Sequence, residues 1–226
     1  MACALFISAF SLISACKKDD VAGSTSTSSK CDYSPYSVGS KFVYTTNTTQ
    51  NATDTIIGDT TINGVGYVKL LTTGPSASGT SSSSVSFMRC DATGLYTLLD
   101  KAQIGAIGAT NFTAKEIQAI KLPASVGQAW KSDTIKYTTT QGVSVSVLYK
   151  MLVTAVGGSK VANGTTYSNG LVTVQFKVFS TINYPGIPAL VDSSTITSNV
   201  FDKTVGYVEI SQNGKILKSL KTATIK

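Results

Sequence analysis

From Lys41 to the C-terminus, apolar residues recur at every second position, and runs rich in Val, Ile, Thr, Tyr and Phe are broken by Gly, Asn and Asp. A period of two places one set of side chains on each face of an extended strand, whereas a helix would need spacings of three and four. The chain is therefore read as all-β. Probable strands span 41–48, 54–62, 66–71, 85–91, 95–99, 116–122, 130–139, 143–156, 170–181, 194–201, 205–211 and 215–224. No segment has a convincing amphipathic helical pattern; 113–121 comes nearest and fits an alternating strand that ends at Pro123.

Asn63-Gly64 and Asn213-Gly214 lie between alternating segments, where a tight hairpin needs positive φ, so neighbouring strands pair antiparallel. Ten to twelve strands are more than a flat open sheet carries comfortably. The expectation is one domain, 32–226, built as an antiparallel, strongly curved sheet in the form of a half-barrel or barrel. About 195 residues suffice for a single core. The Ser-rich stretch 74–84 reads as a disordered loop by composition, and 102–111 as a lid or a long crossover.

The first thirty residues have a different character. An apolar run over 4–13 is too short to span a bilayer as a helix, and Leu12-Ile13-Ser14-Ala15-Cys16 puts small residues before a cysteine. This resembles the lipobox of bacterial lipoproteins, although no Lys or Arg precedes the apolar run. The resemblance implies a signal peptide at 1–15, lipidation of Cys16, and a membrane as partner. Lys18-Asp19-Asp20 resembles an export signal of Gram-negative surface lipoproteins, which implies the outer membrane, at its cell-surface or periplasmic face. Residues 16–31 then form a lipidated, Ser/Thr-rich tether with too little apolar content to offset its ordering entropy. The competing reading makes 4–15 a buried element of a cytosolic domain.

With Cys3 in the leader and Cys16 as anchor, Cys31 and Cys90 remain. Two thiols in an exported domain invite one disulfide. The alternative leaves Cys90 buried as a small hydrophobe and Cys31 free.

The segments Tyr36-Ser-Val-Gly-Ser-Lys-Phe-Val-Tyr, Asp59-Thr-Thr-Ile-Asn-Gly-Val-Gly-Tyr-Val-Lys-Leu, Leu122-Pro-Ala-Ser-Val-Gly-Gln-Ala-Trp and Phe201-Asp-Lys-Thr-Val-Gly-Tyr-Val resemble, in that order, the TapB-like β-rich bacterial lipoproteins of unknown function. That resemblance implies a curved antiparallel sheet, related in outline to LolA-like half-barrels, and no reaction. In the repeated Val-Gly plus aromatic, Gly39, Gly127 and Gly206 let the chain turn into a strand, while Tyr44, Trp130 and Tyr207 close the barrel ends.

The chain holds no histidine, which removes the residue best suited to proton transfer near neutrality together with His-based triads and His-ligated zinc. No Gly-x-Ser-x-Gly elbow is present, and the lone Ser-x-x-Lys lies in the leader. The carboxylates Asp54, Asp59, Asp91, Asp100, Glu116, Asp133, Asp192, Asp202 and Glu209 sit beside turn formers and read as turn caps. Three triplets, Asp54-Thr55-Ile56, Asp59-Thr60-Thr61 and Asp133-Thr134-Ile135, also resemble acceptors for bacterial O-glycosylation. No calcium-loop pattern occurs. The expectation is no enzyme activity, no cofactor and no metal.

A formal charge of +7 comes from lysines spread along the chain with one arginine, Arg89, which argues against nucleic acid and for a solvated surface with weak attraction to anionic glycans or lipids. What remains is a binding domain for an apolar or glycan ligand, or a structural lipoprotein working through protein contacts. In the first case Trp130, Val174 and Val178 are the candidate ligand-binding residues, alongside Val145, Val147, Val172 and Phe176 on the same inward-facing rows. A hollow interior favours the carrier; one filled by aromatics favours the scaffold.

Overall fold

The computed structural model describes residues 31–34, 36–46, 50–75, 81–99, 111–192 and 195–226. The leader 1–15, Cys16, the tether up to residue 30 and most of the 102–111 segment lie outside them. The described residues contain strands and turns and no helix. In chain order the first six strands are β1 (Lys41–Thr46), β2 (Asn51–Ile62), β3 (Val65–Pro75), β4 (Ser81–Asp91), β5 (Gly94–Leu99) and β6 (Lys115–Lys121). The rest are β7 (Ala129–Lys131), β8 (Ile135–Thr138), β9 (Ser144–Val156), β10 (Lys160–Ala162), β11 (Thr165–Tyr167), β12 (Val172–Asn183), β13 (Leu190–Asp192), β14 (Ile196–Asp202), β15 (Gly206–Gln212) and β16 (Lys215–Thr224).

Fourteen of these form one sheet in the order β6-β5-β4-β3-β2-β1-β16-β15-β14-β12-β9-β7, with β13 added to β12 and β8 to β9. Every pairing is antiparallel. The backbone ladder does not close, since β6 and β7 end the path. Trp130 bridges them: its indole N–H donates to the Gln118 carbonyl at 2.9 Å, from one edge strand to the other. The sheet is thus an open half-barrel curled until its edges meet through a side chain, which also shields two edges that would otherwise invite pairing with another chain.

The expected strands are recovered with differences of local origin. Residues 130–139 divide into β7 and β8, because at Ser132 the amide still donates to the Tyr149 carbonyl but the side-chain hydroxyl accepts the Tyr149 amide, which interrupts the backbone ladder. The stretch 74–84 is a loop only in part: Gly74 pairs with Ser82 and Pro75 with Ser81, so backbone bonding overrides a composition that favours disorder. The β10–β11 hairpin, absent from the sequence reading, turns on Asn163-Gly164. Asn63, Asn163 and Asn213 all have φ near +50°, the conformation an Asn-Gly hairpin turn requires. This hairpin folds onto the outer face, where the Asn163 amide donates to the carbonyls of Ser219 and Leu220. A small cluster of Ala162, Leu171, Val200 and Val208 lies beneath it.

The concave face holds the main core. Phe42, Ile56, Leu95, Ile120, Ile135, Met151, Val153, Val172, Val174, Phe201 and Leu220 are almost fully buried there. Tyr36 packs edge-on against Phe42, and Phe201 lies 4.3 Å from Tyr207 between ring centroids. Large rings and branched aliphatics fill the middle of the curve, so this is a packed core and not a hollow.

Candidate functional site

A concavity lies at one end of the half-barrel, where the chain enters it. Cys31 and Cys90 are joined by a disulfide with Cα atoms 5.7 Å apart, which fastens the entering segment to the end of β4. Tyr33 follows, buried, with its hydroxyl donating to the Gly170 carbonyl at 2.7 Å. Asp202 shapes the opposite wall: its carboxylate accepts the amide N–H and hydroxyl of Thr204 and the amide N–H of Asn169. Those bonds satisfy a carboxylate that is 1% exposed and direct the next residue, Lys203, across the opening to Asp32 at 2.9 Å. Gly170 makes room for that lysine, since a Cβ there would lie 2.7 Å from its Cε. The third wall is the crossing from β6 to β7, Leu122-Pro123-Ala124, held by the Leu122 amide on the Thr93 carbonyl.

Together with Ala92, Val156 and Gly157 these residues enclose about 520 Å³, inside the usual range for small-molecule sites. The walls are mainly apolar, and the charges stand at the rim. Burial raises the Tyr33 hydroxyl above its ordinary pKa, and the Asp32 carboxylate raises that of Lys203. Tyr33 therefore stays a neutral donor and Lys203 a cation near neutrality. Such a pocket can hold a small apolar body with one polar or anionic group. It presents no nucleophile beside a base, and among the described residues no three His, Cys, Asp or Glu side chains gather to hold a metal.

The candidate ligand residues are distributed differently. Trp130 turns its ring into the core and spends its N–H on the seam. Val174 is fully buried against Val153, its register partner. Val178 shares that inward face but is only half-buried, about 13 Å further along β12 at ~3.3 Å per residue. None of the three lines the end concavity. Of the residues that do, Leu122 and Lys203 lie in the repeated Val-Gly segments but are not among the expected ligand residues, and Tyr33 lies in none of those segments; the signal available was that Cys31–Cys90 pairing would draw the entering segment to the turn beside Ala92.

Several carboxylates expected as turn caps are instead ion-paired within strands. Asp54 is buried on β2, 2.6 Å from Lys218 and 2.8 Å from the Thr72 hydroxyl. Glu209 pairs with Lys160 at 2.7 Å. Glu116 takes both the Arg89 guanidinium and the Tyr67 hydroxyl, and Arg89 also reaches Asp91 and stacks 3.9 Å from the centre of the Tyr96 ring. Burial and the Glu116 bond push the Tyr67 hydroxyl up to about 12. The single arginine is therefore consumed inside the protein. Asp91 and Asp202 do act as turn caps, each accepting from the Thr two residues on.

No family profile and no curated protein sequence matches the chain. Solved structures do. A candidate lipoprotein from Parabacteroides distasonis superposes with a TM-score of 0.55 at 12% identity, covering 86% of this chain and 99% of that one. A candidate exported protein with a YmcC-like fold from Bacteroides fragilis gives 0.51 at 10% identity, over 84% and 97%. At such identities the likeness establishes the fold, which extends over nearly the whole of both neighbours.

Proposed function

We propose that this is a Gram-negative envelope lipoprotein, held to the outer membrane through an acyl group on Cys16, whose domain binds a small apolar or glycan ligand without catalysis. The 520 Å³ end concavity carries the reading, because it lies where the tether enters the domain and joins apolar walls to the Lys203 and Asp32 rim. The lipoprotein and exported-protein descriptions of the two structural neighbours support the location, as does the resemblance of the β motifs to TapB-like lipoproteins. The LolA-like version of the idea has the ligand inside the curve; the burial of Val174, Phe176 and Phe201 there supports a site at the end instead.

Native mass spectrometry of protein from its own host tests the site. A copurifying small molecule that is lost in Ala124→Trp, which fills the concavity, supports it; retention in that variant refutes it. Cys16→Ser should abolish acyl labelling and release the protein from the membrane fraction, and unchanged partitioning refutes the anchor. The solid core also favours a second reading, a structural lipoprotein that acts through protein contacts. A domain free of small molecules that crosslinks to a defined envelope protein would establish that one instead.

A further inference from the structure

The lysines that look scattered in the sequence are not scattered in the sheet. Lys131 on β7 is the register partner of Lys150 on β9, and Lys150 is the partner of Lys177 on β12. Directly opposed residues share a face, so three ammonium groups form a row across three adjacent strands, on the convex side away from Trp130, Met151 and Phe176. Like charges directly opposed destabilise a sheet. No described carboxylate neutralises them: none of the three lysines makes an ion pair with one. Lys150 and Lys177 instead converge on one ring, their Nζ atoms 4.5 and 5.2 Å from the centre of Phe179. Beside them lies a groove of about 290 Å³ lined by Leu148, Phe179 and Val191 with the hydroxyls of Thr134, Ser146 and Thr181.

We propose that this row is a binding site for the phosphate of an anionic amphiphile, with the phosphate between the lysines and the apolar part in the Leu148–Phe179–Val191 groove. Converging cations without counter-ions, hydroxyl donors alongside and an apolar floor are the features such a molecule complements. The site lies on the convex face and does not depend on the end concavity.

The test uses the full chain carrying C16S, so that no acyl group confuses lipid binding, titrated calorimetrically at low salt with monomeric dihexanoyl phosphatidylglycerol. Lys150→Gln and Lys177→Gln should each weaken binding about fivefold, the usual effect of one lysine near an anionic lipid surface. Lys121→Gln, the same charge change at an exposed site on β6, should leave it unchanged. An equal loss in Lys121→Gln, equal binding of dihexanoyl phosphatidylcholine, or equal affinity for inorganic phosphate overturns the proposal.

Discussion

Removing the Cys31–Cys90 crosslink is the most informative single perturbation of this fold. The two residues are 59 apart in sequence, and closing a loop of that size in the unfolded chain is worth about 4 kcal/mol in the chain-entropy model. Cys31→Ser isolates the effect, because Cys31 is half-buried while Cys90, 2% exposed in the core, keeps its sulfur and its packing. For a domain of this length 1 kcal/mol moves the melting point by roughly 2–4 °C, so the variant should melt about 8–16 °C lower. Urea unfolding without reductant should show a lower midpoint and a steeper slope, since the freed chain exposes more surface. Adding reductant should bring the wild type close to the variant and leave the variant unchanged. Coincident midpoints for the oxidised wild type and Cys31→Ser would refute the reasoning.

Three further outcomes rest on separate contacts. At Gly206 (φ +74°) a Cβ would lie 1.8 Å from the Tyr36 hydroxyl oxygen, so Gly206→Ala should cost about 3 kcal/mol or more in chemical denaturation, whereas Gly214→Ala, with similar φ and open space, should cost about 1–2 kcal/mol. Trp130→Phe keeps the ring but strands the Gln118 carbonyl at the seam, and should lower stability by about 1–2 kcal/mol and increase self-association in light scattering. Burial alone would raise the Glu116 carboxyl, but its bonds from Arg89 and Tyr67 hold it below the usual range, so its stabilising effect is present above the unfolded value near ~4.3 and is lost as pH falls through the folded value. Glu116→Gln should therefore be less stable at pH 7 and lose less on acidification; parallel acid profiles would show that the pair does not contribute.

Strand placement was legible because period two and Asn-Gly turns act within a few residues. The same Asn-Gly signal at 163–164 marked β10–β11, and the hairpin escaped notice because its three-residue strands are too short to show alternation. The grouping of Gly39, Gly127 and Gly206 was right in conformation, since all three have positive φ, but only the first two share a turn. In Ser37-Val-Gly-Ser40 and Ser125-Val-Gly-Gln128 the fourth amide donates to the first carbonyl, and the glycine amide donates across to Ile56 or Val153. Gly206 follows an Asp-capped turn and is needed for the close approach of Tyr36. The lysine row and the end concavity were invisible in sequence for one reason: both join residues brought together by pairings over dozens of positions, which local periodicity does not encode.

Those shared turns expose how the sheet is organised. One half runs β1 to β6 as a meander, and the other runs β7, β9, β12, β14, β15 and β16 in the same way, joined through β1 and β16. Each half opens with a Ser-Val-Gly turn and carries an Asp-x-Thr cap at its fourth connection, Asp91-Ala92-Thr93 in one and Asp202-Lys203-Thr204 in the other. The central residues of those two caps, Ala92 and Lys203, both line the end concavity, which therefore lies where equivalent corners of two similar half-sheets meet. A repeated framework supplies two like walls and no preference between them. The differences supply it: lysine in place of alanine, and the Cys31-to-Ser34 segment, tied to the first half by a disulfide and to the second by the Tyr33–Gly170 hydrogen bond and the Asp32–Lys203 ion pair. Since the packed core leaves little freedom to vary the middle of the curve, both proposed sites fall at the turns and on the outer face, where side chains can change without disturbing it.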